Sequence, residues 1–250
     1  IDRLKANVFF MNANQKPWND VRVRRAVSLA FDRQAAIQVL GGGVGDLRLA
    51  MLTGDWALPS EEVAKLPGFR QPKDADRAEA KRLLAEAGYP SGFETVILTR
   101  GDDPGYVRLA EFSANQLTAL GIRARIDPQQ SVIYLDRKDR LQYDSMAITP
   151  VLDNFDPDGT ARYFRSPNES GFMDAEMDKV FDQQAQTLDI PKRRELTRQM
   201  ERRVMEQAWY VTTHWETNFM FGWPEVRNAT PRFLGANNNA RLPEYIWLAP

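Results

Sequence analysis

The sequence predicts an α/β fold. Three observations point to it: an amphipathic helix pattern behind a strand-like N-terminal stretch, a strand–helix–strand unit near the middle, and a pair of helices followed by another strand-like run. With 250 residues, 43% of them hydrophobic, the chain can bury a large core as one large domain or two small ones.

Residues 7–11, Asn-Val-Phe-Phe-Met, read as a strand. Residues 16–33 read as a helix that Asn19 or Asp20 can cap. Val23, Ala26, Val27, Ala30 and Phe31 fall on one face, and Arg22, Arg24, Arg25, Asp32 and Arg33 on the other. Residues 41–45, Gly-Gly-Gly-Val-Gly, break that pattern, and residues 51–72 form a connector punctuated by proline and glycine. A second helix spans 74–87, with an acidic start and Gly88 placed as its stop.

Residues 93–99 then read as a strand, 106–120 as a helix closed by Gly121, and 122–126 as another strand. This is a βαβ unit with a connection long enough for a parallel, right-handed crossover. Residues 143–149 read as one more strand, and 174–187 and 192–207 as two helices parted by the turn Asp189-Ile190-Pro191. Composition shifts near Trp209: four of the six tryptophans, Trp209, Trp215, Trp223 and Trp247, fall after position 208.

Charge and residue usage exclude several functions. The 33 basic and 34 acidic residues create no field to hold nucleic acid, so no nucleic-acid partner is expected. Without cysteine there are no disulfides or thiolate metal sites, and the single histidine, His214, cannot build a histidine-rich zinc site; neither metal nor cofactor is expected. His214 sits in a strand-like run with no nucleophile phrase around it and reads as structural. The run Asn154-Phe155-Asp156-Pro157-Asp158-Gly159 imitates the opening of a calcium loop, but the twelfth position is Arg165 where a bidentate Glu is required, so a turn is the better reading. The glycines at 41–45 are not followed by the Lys-Ser or Lys-Thr of a phosphate loop. No stretch approaches the roughly 20 apolar residues that cross a bilayer.

Topology alone nominates two site residues. Arg100 follows the 93–99 strand and Asp153 lies just past the 143–149 strand. Ligands of open α/β sheets collect outside the carboxyl ends of the strands, so both line one crevice if these strands are parallel. A cation and an anion there match a zwitterion.

Two phrases carry a family resemblance. Residues 12–26 read Asn-x-x-x-x-Pro-Trp-Asn-Asp-x-Arg-Val-Arg-x-Ala, and residues 83–90 read Leu-Leu-Ala-Glu-Ala-Gly-Tyr-Pro. The chain thereby resembles extracellular solute-binding proteins of family 5, the dipeptide, oligopeptide and nickel receptors of ABC importers. The resemblance implies a type II periplasmic-binding-protein lobe with a central mixed sheet flanked by helices. It implies that residues 1–208 are the second, C-terminal lobe and that 209–250 are a Trp-rich tail returning to a first lobe. A chain that starts on a charged segment without an initiator Met fits a piece of a longer protein, one that binds weakly alone because half the pocket belongs to the other lobe.

The implied function is capture of a peptide or peptide-like solute between two closing lobes, delivery to permease subunits, a periplasmic location with or without a lipid anchor, and no catalysed reaction. In such receptors an Arg pairs with the peptide carboxylate and an Asp with its amino group. Arg100, Pro104, Arg108, Ala110 and Glu111 match the first pattern, and Leu152-Asp153-Asn154-Phe155-Asp156-Pro157 the second, with Asp153 as the counterpart. Phe155 and Tyr106 are the expected apolar contacts. Thr149-Pro150-Val151-Leu152 departs from the wording usual before this Asp, which leaves the cargo open to a nickel chelate, haem, an oligosaccharide or an opine. Two other classes compete: a hydrolase using Asp153 and Asp156 as acid and base, and an interaction domain docking through an apolar patch along 219–223.

Overall fold

The structure is a computed structural model in which residues 5–50, 52, 54–148, 156–216, 225–227 and 247–248 are described. Its centre is a six-stranded mixed sheet in the order β2-β6-β1-β5-β3-β4, made of β1 (Ala6–Met11), β2 (Gly45–Asp46), β3 (Glu94–Arg100), β4 (Arg123–Gln129), β5 (Ser145–Ile148) and β6 (Tyr210–Glu216). β3 runs parallel to β4 and β5, whereas β1 is antiparallel to β5 and β6, and β2 to β6. A separate two-stranded ribbon pairs β7 (Val226–Arg227) with β8 (Trp247–Leu248).

Alternation along β1 shows why the sheet has helices on both sides. Val8 and Phe10 enter a cluster with Met146, Met177, Phe181, Met200 and Trp215, whereas Phe9 and Met11 enter another with Trp18, Val23, Val27, Ile97, Leu109 and Val211. Each cluster is the burial of one strand face, at roughly 25 cal/mol per Å² of apolar surface removed from water. Helices α1 (Val21–Ala30), α4 (Asp74–Glu86) and α5 (Pro104–Thr118) cover the second cluster, and α8 (Ala175–Ala185) and α9 (Ile190–Gln207) the first. Trp18, buried between Phe9 and Phe93, donates its indole N–H to Thr95 at 3.3 Å, so the Pro-Trp-Asn-Asp phrase is a core plug.

The βαβ unit forms as the sequence predicts. Asp103 caps α5 by accepting from the Gly105 N–H, with Pro104 opening the helix. Gly121, at φ +73°, turns the chain into β4 beside Gly92, at φ +78°; a Cβ on Gly92 would lie 2.2 Å from the Gly121 carbonyl.

Three expectations need correction. The 16–33 helix is two helices: Asp20 caps α1, and Phe31-Asp32 breaks the chain before α2 (Arg33–Val39), which Asp32 caps. Arg24 and Arg33, placed on the solvent face by pattern, are buried at 1% and 3% exposure. Arg24 donates to the carbonyls of Trp18 and Gln207, and Arg33 to those of Ser28, Gly68 and Thr212, while their planes lie over Phe172 and Phe69. The connector also holds α3 (Ser60–Val63), and α6 (Ser131–Asp139) and α7 (Ala161–Phe164) arise where no helix is expected. β6, within the expected tail, lies between β2 and β1, fully buried from Tyr210 to Trp215.

Candidate ligand-binding site

Strand register places Arg100 at the carboxyl edge of the parallel part of the sheet. Arg100 pairs with Gln129 at the carboxyl end of the β3–β4 ladder, and the parallel β3–β5 register runs on to bring Arg100 level with Ile148. In open α/β sheets, ligands collect outside the carboxyl ends of parallel strands, and this is the edge on which Arg100 stands.

Arg100 is built into that edge. Its Nε donates to Asp102 at 3.2 Å, and its guanidinium carbon lies 5.0 Å from the centroid of the Tyr106 ring, on the first turn of α5. Asp102 in turn accepts from the Ser131 hydroxyl at 2.5 Å, which ties the β3–α5 loop to the start of α6. Behind Tyr106, the ring of Tyr134 stands edge-on at 5.9 Å, fully buried, its hydroxyl without a hydrogen-bond partner among the described residues. Burial works to lower the Arg100 pKa, but Asp102 and Tyr106 outweigh it and raise the value, so the group is a fixed cation. Its side chain keeps 30% exposure. A guanidinium can meet a carboxylate with two parallel bonds.

Of the four residues expected at the site, the structure thus brings Arg100 and Tyr106 together, and Asp153 and Phe155 lie outside the described residues. Asp102 and Ser131 were not singled out by the sequence. Asp102 belongs to the Arg-Gly-Asp-Asp-Pro run, whose next Asp and Pro signal the helix start, and Ser131 is brought in by tertiary structure alone.

Asp156 is engaged as well. Arg193 donates to its two oxygens at 2.9 and 2.6 Å, gives Nε to Gln184 at 3.0 Å and stacks 4.8 Å from the Trp56 ring. Burial pushes the Asp156 pKa upward, yet the bonds from Arg193 and the Asp158 N–H hold it below the usual carboxylate range. Such a group is ionised near neutral pH and has no proton to deliver as a general acid. His214 is fully buried in β6, 3.3 Å from the Asn7 amide and 3.4 Å from the Thr213 hydroxyl, in the structural position expected.

Residues 2–172 match the family described as bacterial extracellular solute-binding proteins, family 5 Middle. The chain is 34% identical over 116 residues to the glutathione-binding protein of Salmonella choleraesuis, covering 46% of this chain and 21% of that protein. It is 30% identical over 208 residues to di/tripeptide-binding protein 1 of Pseudomonas aeruginosa, covering 79% of this chain and 37% of that one. Among solved structures, the murein tripeptide binding protein of Escherichia coli superposes with a TM-score of 0.81 at 20% identity, over 100% of this chain and 49% of that one. A periplasmic binding protein of Helicobacter pylori in complex with the peptide STSA gives 0.74 at 21% identity, over 100% and 48%. The chain therefore spans about half the length of these structural relatives and less of the curated ones.

Proposed function

The chain belongs to the bacterial extracellular solute-binding proteins of family 5, and on that premise we propose that it is the second lobe of a receptor that captures a short peptide or peptide-like solute and hands it to the permease of an ABC importer. The observation that carries this reading is the placement of Arg100: a fixed, partly exposed guanidinium at the carboxyl edge of three parallel strands, braced by Asp102 and Tyr106. A peptide terminus enclosed by two lobes loses hydration worth several kcal/mol and needs a hydrogen-bonded counter-charge. Arg100 supplies it for the carboxylate, Asp153 supplies it for the amino group, and Tyr106 and Phe155 add apolar contact. Lobe closure by hinge motion presents the loaded form to the permease outside the cytoplasm, in the periplasm, and no bond is made or broken. In this reading the lobe takes in residues 1–208 together with β6, and the chain after β6 returns towards the first lobe.

Calorimetry with di- and tripeptides, on the full-length receptor and on this chain alone, tests the proposal. The full-length protein is expected to bind with the higher affinity, and Arg100→Ala and Asp153→Ala each to weaken binding at least tenfold. Unchanged affinity in both variants would overturn it.

A further inference from the structure

A second concave site lies well away from Arg100. Arg48, on the segment that follows β2, and Arg194 and Arg198, one turn apart on α9, line an open pocket of about 470 Å³ together with Gly54, Asp55 and Ser60. β2 and β3 are four strand spacings apart in the sheet, roughly 19 Å, so this pocket and the Arg100 edge are distinct.

Charge within the pocket is out of balance. Asp55 pairs with Arg194 at 2.7 Å. Asp46 pairs with Arg48 at 3.2 Å while also accepting from the Ser60 hydroxyl at 2.6 Å. Arg198 forms no ion pair or hydrogen bond with any described residue, and the buried Nε of Arg48 has no partner either. Fully buried Glu201 accepts the Leu58 N–H at 2.8 Å through one oxygen, and its other oxygen has no partner among the described residues. Arg48, Arg198 and Arg202 all act electrostatically to lower the Glu201 pKa, but burial dominates and raises it to about 8, so near neutral pH it is not their counter-ion.

We propose that this pocket binds a small solute bearing a carboxylate or phosphate group, held between the guanidinium groups of Arg48 and Arg198. Arg48 and Arg194 each have a carboxylate partner and Arg198 has none among the described residues, so the hollow carries an excess positive charge that an oxyanion offsets while accepting the hydrogen bonds Arg198 leaves unused. Trp215, whose ring centroid is 5.4 Å from the Arg48 guanidinium carbon, holds that cation from behind. The volume suits a metabolite-sized ligand.

The test is calorimetric titration of the chain with inorganic phosphate and, separately, with citrate, at fixed ionic strength. Saturable binding of at least one is expected, and the stronger of the two identifies the oxyanion class. Arg198→Gln is expected to weaken it at least tenfold and Arg198→Lys to weaken it less, since Lys keeps the charge and loses the fork. Circular dichroism confirms folding, and Arg48→Gln serves as the second variant. Absence of saturable binding with both anions, or an affinity unmoved by Arg198→Gln and Arg48→Gln, overturns the proposal.

Discussion

Arg100 donates through Nε to Asp102 at 3.2 Å, and Asp102 is itself held by the Ser131 hydroxyl at the start of α6. The pair thus sets the direction of the guanidinium rather than merely neutralising it. Asp102→Asn keeps the shape and removes the charge. In the full-length receptor it is expected to weaken peptides with a free C-terminal carboxylate by about three- to tenfold, the worth of a partly exposed ion pair, and to leave C-terminally amidated peptides unaffected. Calorimetry on matched acid and amide peptides checks this. Equal losses for both would show that Asp102 maintains the loop and does not aim Arg100.

Glu201 makes stability fall as pH rises. Burial lifts its folded pKa to about 8, against 4.5 for the free side chain, so the folded state keeps a proton that the unfolded chain has released. The favourable contribution is complete below about pH 4.5 and is lost as pH climbs through 8, at roughly 1.4 kcal/mol for each unit within that window. Glu201→Gln, which retains an acceptor for the Leu58 N–H, is expected to flatten this limb and to be more stable than the parent near pH 8. Urea unfolding between pH 5 and 8.5 measures it, and parallel profiles for the two proteins contradict it.

His214 produces the opposite limb. Burial lowers its pKa to about 4 from 6.5, with Lys5 acting the same way and Glu216 opposing. The unfolded chain takes up the proton first, so stability is whole above about pH 6.5 and declines as pH drops through 4. His214→Asn, which preserves hydrogen-bonding capacity beside Asn7, is expected to reduce the acid loss while costing about 1–2 kcal/mol at pH 7 through imperfect packing. Thermal melts from pH 4 to 7 decide: an acid limb of unchanged slope in the variant assigns the loss to other groups.

Parts of this molecule were legible because their signals are local. Residues 7–11 read as a strand, residues 106–120 as a helix and Gly121 as its stop, so the βαβ unit and its carboxyl edge, with Arg100 on it, follow from spacing, although the helix starts two residues earlier, at Pro104 behind its Asp103 cap. α6 was not legible because Val132, Ile133 and Leu135 face solvent and Tyr134 alone is buried, leaving no stripe at helical period. Arg24 and Arg33 mislead for another reason: pattern analysis sends guanidinium groups outward. These two are satisfied inside by the carbonyls of Gln207 and Thr212, more than 170 positions away, which no local window contains. The pocket of Arg48 and Arg198 escapes sequence for the same reason, since its walls come from two segments far apart in the chain, with Asp55 and Arg194 separated by 139 positions.

Arg193 and Asp156 supply the last prediction. Their two hydrogen bonds, with the Trp56 ring under the guanidinium, anchor α9 to the 3₁₀ turn Pro157–Thr160 that Asp156 caps. If the carboxylate serves this anchoring, its value is mutual with Arg193 and disappears when either partner is removed. Asp156→Asn, Arg193→Ala and the double variant, compared by urea unfolding, are expected to show a coupling of roughly 1 kcal/mol, the half-exposed carboxylate keeping it below the worth of a fully buried pair. Additive losses would mean that Arg193 stabilises α9 through Gln184 and Trp56 alone.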